Sequence, residues 1–193
     1  MAKKLAQTTL PTKYGDYIMM AYDSGVEDFP HIAMVKGKIS QEYPVNVRIH
    51  SECLTGDLLH SLRCDCGEQL DASFRYFEKN DGIILYLRQE GRGIGIIKKM
   101  EAYNLQNQGM DTIEANHALG FHADQRDFGI AVEILSELGV KKINLLTNNP
   151  DKIEAFENSP VQIVHRIPLE VQAREENKNY LHTKKNGMGH LLG

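Results

Sequence analysis

The sequence predicts a mixed α/β fold, with N-terminal antiparallel strands followed by a mixed sheet flanked by helices. Three features support this fold class. Residues 5–36 form short segments rich in strand-forming side chains and separated by turn signals. The run 82–87 is apolar without alternation, as in a strand buried on both faces. Residues 128–138 carry an apolar stripe at helical spacing, and Gly139 follows as a stop signal.

Composition narrows the class of protein. A chain of 193 residues with 41% hydrophobic and 25% charged residues fits a globular protein with one main domain. The formal net charge of −4 argues against general nucleic-acid binding, so an anionic ligand needs a local cluster of cations. We find no stretch that approaches a membrane span, and we predict a cytoplasmic protein with reduced cysteines. We expect one catalytic domain over residues 1–172 and a polar tail over 173–193 that is mobile or docks on a partner subunit.

All three cysteines lie within fourteen residues, as Cys53, Cys64 and Cys66. Thiolates bind zinc well, so this clustering favours a metal site. In an extended segment, the sulfurs of Cys64 and Cys66 would point to the same side. Three protein ligands leave a fourth position open, as in catalytic zinc sites, whereas His50 as a fourth ligand would make the site structural. The same spacing is also compatible with buried small side chains, or with one disulfide and a free thiol.

The segment 45–50 alternates apolar and polar residues, as a half-buried strand does. Arg48 and His50 share one face, directed toward whatever the cysteine loop encloses; a solvated face is the alternative. A helix is predicted over 67–80, with Gln69 in its first turn. His31 has no acidic or cysteine neighbour and is interpreted as a surface or core histidine.

Residues 88–95 form a glycine-rich loop between the strand 82–87 and a helical stretch to about Gln108. Strand, glycine-rich loop and helix together favour phosphate binding, because backbone amides and a helix N-terminus face the ligand. The glycine spacing matches neither a dinucleotide fingerprint nor a P-loop. Arg88 and Arg92 in the loop strengthen the interpretation.

Asp124 and Asp127 are candidate N-caps for the helix over 128–138. Arg126 is unexpected beside a helix N-terminus, because the helix dipole disfavours a cation there, and a bound anion would remove the conflict. Farther on, a strand at 142–146 leads to Asn149, which is predicted to cap a helix beginning at Pro150. Loops at such strand ends bind ligands in open α/β sheets.

Taken together, these motifs resemble the GTP cyclohydrolase II family. The resemblance covers nearly the whole chain, and the motifs occur in the family's order. The matching segments are 48–57, 62–67, 88–95, 109–116, 124–128, 145–150 and 188–192.

The resemblance implies hydrolysis of GTP to 2,5-diamino-6-(5-phosphoribosylamino)pyrimidin-4(3H)-one with release of formate and pyrophosphate, the first step of riboflavin biosynthesis. It implies one zinc ion on Cys53, Cys64 and Cys66, with water in the open position, and Mg²⁺ on the GTP triphosphate. Tyr103 would transfer a proton near the base. The family also suggests a homodimer.

The resemblance assigns Asp124 as proton acceptor and Arg126 as nucleophile on the α-phosphorus. A protonated guanidinium has no lone pair, so a clamp that stabilises transition-state charge is the alternative role for Arg126. The implied GTP contacts are Arg48, Ile49, His50, Ser51, Glu52, Gln69, Glu90, Gly91, Arg92, Thr112, Thr147 and Lys152.

Two different classes of function compete with this one. His50 and Glu52 fit the H-x-E half of a zinc deaminase, but Cys64 and Cys66 are separated by one residue and lack the P-C-x-x-C pattern of that class. A zinc-stabilised binding module is the non-enzyme alternative, although such modules usually present four ligands in two pairs.

Overall fold

The structure is a computed structural model that describes residues 1–26, 28–122 and 124–191. The chain divides into two compact units. The first, called the sheet unit, contains Met1–His50, Asp71–Arg88 and Phe128–Leu169. The second, called the cysteine unit, contains Ser51–Leu70, Gln89–Asp127 and the described residues from Glu170 on. The single domain expected over residues 1–172 stays a prediction.

The strands form one mixed sheet, as the sequence predicts. Seven strands are present in the described residues: β1 (Lys4–Thr12), β2 (Gly15–Tyr22), β3 (His31–Lys36), β4 (Val45–Ser51), β5 (Gly82–Leu87), β6 (Lys142–Leu146) and β7 (Gln162–Ile167). Their order is β1-β2-β3-β5-β4-β6-β7. The pairs β1–β2, β2–β3 and β3–β5 are antiparallel, whereas β4–β6 and β6–β7 are parallel.

Helices account for most of the remaining regular structure. Within the described part of the chain they are α1 (Leu54–Asp57), α2 (Cys66–Lys79), α3 (Gly95–Asn107), α4 (Thr112–Ala118), α5 (Gly129–Glu137), α6 (Pro150–Glu154) and α7 (Lys178–His182). The boundary between the two units falls inside α2, after Leu70. None of the helices in the described residues is long and apolar enough to cross a membrane.

The sheet unit holds the hydrophobic core. Alternate side chains of β3 are buried, as are Val45, Val47 and Ile49 of β4 and most of the apolar run of β5, and the apolar stripe of α5 packs with them. The stripe includes Ala131, Ile134 and Leu135, all fully buried. Helix and strands thus form one core because the helical and strand periods both direct their apolar side chains to the same layer.

The predicted helix starts differ in accuracy. Asn149 caps α6 as predicted: its Oδ1 accepts a hydrogen bond from the Asp151 N–H at 2.9 Å, and Pro150 is the first helical residue. In contrast, the prediction that Asp124 or Asp127 caps α5 is wrong, because Phe128 is the N-cap residue. The Asp124 carboxylate instead accepts hydrogen bonds from Arg126.

Residues beyond 172 contain regular structure. A turn of 3₁₀-helix at Glu175–Asn177 precedes α7, and a turn of π-helix follows at Thr183–Gly187. Lys184 and Asn177 are buried. The mobility expected of this tail stays a prediction, and Leu192 and Gly193 lie outside the described residues.

Candidate functional site

The three cysteine sulfurs lie together in the cysteine unit. They are all within 4.8 Å of one another, and the Sγ atoms of Cys53 and Cys64 are 3.7 Å apart. All three thiols are free, so the disulfide interpretation is wrong for this structure. Cys66 does not lie in an extended segment, as the i,i+2 argument assumed, because it is the first residue of α2. The helix start brings its sulfur to the other two by a different route.

Two glycines allow the backbone around the sulfurs to pack closely. A Cβ atom on Gly67 would lie 2.2 Å from the carbonyl oxygen of Gly56. A Cβ atom on Gly56 would lie 2.9 Å from the Cys64 sulfur and 3.2 Å from the Cys53 sulfur. The hydrogen atoms of these glycines therefore leave room for α1, the first turn of α2 and the three sulfurs.

Lys99 places a positive charge beside the cluster. Its Nζ donates to the Cys53 sulfur at 3.0 Å and to Glu90 Oε1 at 2.8 Å. Hydrogen bonds from Cys64 and Cys66, together with the Lys99 ammonium, lower the pKa of Cys53. Burial opposes the charge on Lys99, but the Cys53 thiolate and Glu90 more than compensate and raise the pKa of Lys99. The site thus favours thiolate at Cys53.

Tyr103 lies on α3 near the same cluster. Its hydroxyl is 3.4 Å from Thr55 Oγ1, which in turn is 3.6 Å from the Cys53 sulfur. Burial raises the pKa of Tyr103, and the neighbouring Lys99 opposes that change only in part. The phenol therefore carries its proton at neutral pH and can donate it.

The glycine-rich loop forms a tight turn within the cysteine unit. Gly91 and Arg92 both have φ of 62°, a left-handed conformation that is uncommon for arginine. Both terminal nitrogens of Arg92 are buried and have no hydrogen-bond partner among the described residues. The guanidinium carbon lies 5.6 Å from the centre of the Tyr180 ring. Buried donors of this kind need an acceptor, so the loop is suited to an anion.

Asp124 and Arg126 form a close ion pair. Arg126 Nε donates to the two Asp124 carboxylate oxygens at 2.9 and 3.1 Å, and NH2 donates to the same carboxylate. Arg126 NH1 donates to Ser51 Oγ at 3.3 Å. Burial opposes both charges, but the contact between them outweighs it, so the pKa of Asp124 is lowered and that of Arg126 is raised. Arg126 is thus firmly protonated in this state.

Asp65 lies between two of the cysteines and is 1% exposed. Its carboxylate accepts hydrogen bonds from Gln69 Nε2 at 2.6 Å and from Lys184 Nζ at 2.5 Å. Burial raises the pKa of Asp65, but the Lys184 charge and the hydrogen bonds from Lys184 and Gln69 together outweigh burial and leave the pKa below its usual value. Gln69, predicted to contact substrate, therefore also orders the cysteine turn.

The sheet unit carries the other predicted contacts. Arg48 and His50 are 3% and 2% exposed, so the interpretation as a solvated strand face is wrong. Arg48 NH1 donates to the Leu146 carbonyl at 3.1 Å, and Lys152 Nζ donates to the Ile49 carbonyl at 2.8 Å. Thr147 is buried at the end of β6.

Sequence reasoning missed three residues of the cysteine unit: Lys99, Asp65 and Lys184. Lys99 precedes Tyr103 by four residues on α3, so helical spacing could have placed both side chains on one face. Asp65 lies between two cysteines in the sequence, and this position could have indicated that it orders the cysteine cluster. Lys184 reaches Asp65 from a distant segment, and no local pattern indicates that contact. Thr112, which was predicted to contact GTP, is the first residue of α4 after the N-cap Asp111.

Comparison with known proteins agrees with this arrangement of residues. The family described as GTP cyclohydrolase II matches residues 3–168. A riboflavin biosynthesis protein RibBA from Chlorobium phaeovibrioides is 50% identical over 193 residues, which cover 100% of this chain and 47% of that protein. A protein of the same name from Bacillus cereus is 52% identical over 188 residues, covering 97% of this chain and 47% of its own. This chain spans about half the length of the curated relatives it matches.

A solved structure of RibBX, a two-domain 3,4-dihydroxy-2-butanone 4-phosphate synthase from A. baumannii, also aligns with this chain. The alignment covers 76% of this chain and 34% of the RibBX chain. Its TM-score of 0.40 and sequence identity of 23% are too low to carry an argument. The family match over residues 3–168 and the sequence identities of about 50% to the relatives are sufficient to assign the family. The chain belongs to the GTP cyclohydrolase II family.

Proposed function

We propose that this chain hydrolyses GTP to 2,5-diamino-6-(5-phosphoribosylamino)pyrimidin-4(3H)-one, with release of formate and pyrophosphate, as the first step of riboflavin biosynthesis. This proposal rests mainly on one observation: a single compact unit holds both a three-thiol cluster and two half-buried arginines, Arg126 and Arg92, and the terminal nitrogens of Arg92 are buried. The thiols suit a metal ion that supports hydrolysis at a carbon atom of the guanine base. The arginines suit a polyphosphate.

The cysteine cluster fits a zinc ion. Zinc–sulfur bonds of about 2.3 Å at a tetrahedral angle separate two sulfurs by about 3.8 Å. The Cys53–Cys64 distance of 3.7 Å supports this ion, and the space beside Gly56 that a Cβ would fill keeps the sulfurs accessible to it. With Cys53, Cys64 and Cys66 as ligands, zinc would supply Lewis acidity and an open position at which the pKa of water is lowered. His50 is then a pocket residue and not a ligand.

Side chains of this protein serve the part of the reaction in which the imidazole ring of the base is opened. Lys99 holds Cys53 as a thiolate and is itself held by Glu90. Tyr103 keeps its proton and can donate it to a ring nitrogen of the base as the imidazole ring opens. Glu90 was predicted as a GTP contact, and its contact with Lys99 supports an added role in ordering this side of the site.

We assign the phosphate half to Arg92, Arg126 and Asp124. The buried nitrogens of Arg92 and the left-handed backbone at 91–92 support an anion contact in the glycine-rich loop. Arg126 is a clamp on the α-phosphate in this proposal, because its paired guanidinium keeps its proton and so lacks a nucleophilic lone pair. Asp124 orients it. Mg²⁺ binds the triphosphate oxygens, as hard cations do.

The remaining contacts are proposed from the family pattern. These proposed GTP contacts are Arg48, Ile49, His50, Ser51, Glu52, Gln69, Gly91, Thr112, Thr147 and Lys152. The burial of Arg48 and Lys152 supports sites that are ordered before substrate arrives. A cytoplasmic homodimer is the proposed state, with no nucleic-acid or membrane partner.

The test measures pyrophosphate, formate and ammonia released per GTP consumed, with Mg²⁺ and zinc-loaded protein. Equal pyrophosphate and formate without ammonia is the expected result. Pyrophosphate without formate would leave only the phosphate half of the proposal standing. Ammonia release would favour the deaminase class, and no turnover with zinc bound would favour a zinc-stabilised binding module.

A further inference from the structure

The turn between the second and third cysteines depends on a charged residue far away in the chain. Asp65 lies inside that turn and is nearly fully buried. Lys184, 119 residues later, is also buried and donates to Asp65 Oδ1 at 2.5 Å. The Lys184 ammonium also lies 4.6 Å from the centre of the Tyr180 ring. Removing one partner of a buried ion pair leaves the other charge uncompensated, so loss of the Lys184 ammonium would destabilise this turn.

The segment that carries Lys184 is attached to the cysteine unit at further points. Arg174 forms an ion pair with Glu68, in the first turn of α2. Asn177 is buried and its Oδ1 accepts a hydrogen bond from the Arg174 N–H at 2.8 Å. A Cβ atom on Gly187 would lie 2.8 Å from Ile113 Cδ1 on α4. These contacts lie on both sides of Lys184 along the chain. The segment that carries the Lys184 ammonium is therefore packed against the cysteine unit.

We propose that Lys184 is a positioning residue for the metal site, and that the segment 174–188 is required for tight zinc binding. Lys184 fixes the Asp65 carboxylate, and Asp65 with Gln69 fixes the turn that aims the Cys64 and Cys66 sulfurs. Groups that orient metal ligands through such contacts commonly change metal affinity by about 10- to 100-fold when altered. The inference rests on the proposed function, because it takes the cysteine cluster as a zinc site.

The experiment compares zinc transfer from protein to a chromophoric chelator for wild type, Lys184→Met, Lys184→Arg and Lys178→Met. Lys178 is exposed and lies on α7 in the same segment, so Lys178→Met is the matched control. We expect Lys184→Met to weaken zinc affinity by at least about 10-fold. Lys184→Arg should restore part of the affinity, and Lys178→Met should match wild type. Equal affinity in Lys184→Met and wild type would overturn the inference.

A purely structural role is separated by unfolding of the zinc-free proteins. If Lys184 has only a structural role, Lys184→Met should have a lower melting temperature but unchanged zinc affinity in the folded protein. That result would also contradict the proposal. If Lys184→Met does not fold, the double variant Asp65→Asn/Lys184→Met removes both charges and the uncompensated ion. The double variant should bind zinc as weakly as expected for Lys184→Met. Wild-type affinity in the double variant would sink the inference.

The same zinc measurement distinguishes failure of the Lys184 role from failure of the proposed function. If the wild-type protein does not bind zinc, the metal half of the proposed function fails together with the inference. If wild type binds zinc and releases formate while Lys184→Met binds zinc equally well, only the role of Lys184 fails.

Discussion

Arg126 is the residue at which two mechanisms for the phosphate half diverge. As a nucleophile it would have to lose a proton to Asp124, yet the pair lowers the pKa of Asp124 and raises that of Arg126. Both changes oppose that transfer. As a clamp, Arg126 uses its charge and its fork of donors directly, and Asp124 only has to hold it in place.

We therefore expect Arg126→Ala to reduce pyrophosphate release from GTP by about 10²- to 10³-fold, as loss of a transition-state donor does in other enzymes. Arg126→Lys should keep more activity, because it retains the charge but not the fork. The exposed Arg75→Ala is the control and should behave as wild type. Mass spectrometry after a rapid quench should find no guanylyl adduct on the wild-type protein; an adduct on Arg126 would establish the nucleophile role instead.

We expect His31, in the sheet unit, to make the stability of the protein depend on pH. Burial, and then the Arg88 charge, lower the pKa of His31, and its Nδ1 accepts a hydrogen bond from the Arg88 N–H at 3.0 Å. Between the lowered folded pKa and the unfolded value of about 6.5, the unfolded chain binds more protons. The stability due to neutral His31 is therefore fully present above about pH 6.5 and is lost as the pH falls through the folded pKa.

Melting temperatures at about pH 7.5 and 5.5 test this prediction. Wild type should lose more stability on acidification than His31→Asn, whose side chain does not titrate. His165→Asn removes an exposed histidine of β7 and should follow wild type. If His31→Asn and wild type show the same loss on acidification, the buried imidazole does not control this pH dependence.

At the scale of elements, the sequence predicts those whose signal is periodic. The bounds predicted for strands β4 to β6 and helices α2, α3 and α5 are correct to within about one residue at each end, because alternation and apolar stripes reflect burial directly. α1, α4 and α7 have seven residues or fewer, and this length is too short for a stripe. The turn at 64–66 was placed wrongly in extended backbone, because the start of α2 depends on its packing against Gly56.

The substitution Gly67→Ala tests the packing of α2 against Gly56, because it has two effects of opposite sign on stability. Alanine is favoured over glycine inside a helix by about 1 kcal/mol. A Cβ at Gly67, however, would overlap the Gly56 carbonyl at 2.2 Å, and overpacking of this kind costs about 1–3 kcal/mol.

We expect the overlap to outweigh the gain in helix propensity, so that Gly67→Ala lowers the free energy of unfolding by up to about 2 kcal/mol in urea titrations and weakens zinc binding. Lys79→Ala, in the exposed last turn of the same helix, should change stability by less than about 0.5 kcal/mol. A more stable Gly67→Ala protein would mean that the helix start can shift freely.

At the scale of the molecule, the core and the cysteines belong to different units. The hydrophobic core lies in the sheet unit, and no cysteine is among its described members. The sequence could predict which residues carry the site, since motifs are local, but not how charges such as Lys184 and Asp65 pair across 119 residues. Long-range pairing is decided by packing, which leaves no local pattern.

This separation predicts that zinc removal inactivates the protein without unfolding it. A structural zinc contributes its binding energy to folding, so chelation unfolds small zinc modules. Here the sheet and its core would persist, because their buried apolar area does not depend on a ligand at the cysteines. After chelation we expect the far-UV circular dichroism of the sheet and a cooperative thermal transition to remain while formate release stops. Formate release should return when zinc is added back. Loss of the dichroism signal and of the transition on chelation would instead identify a structural zinc, because the fold would then need the ion that the three sulfurs hold.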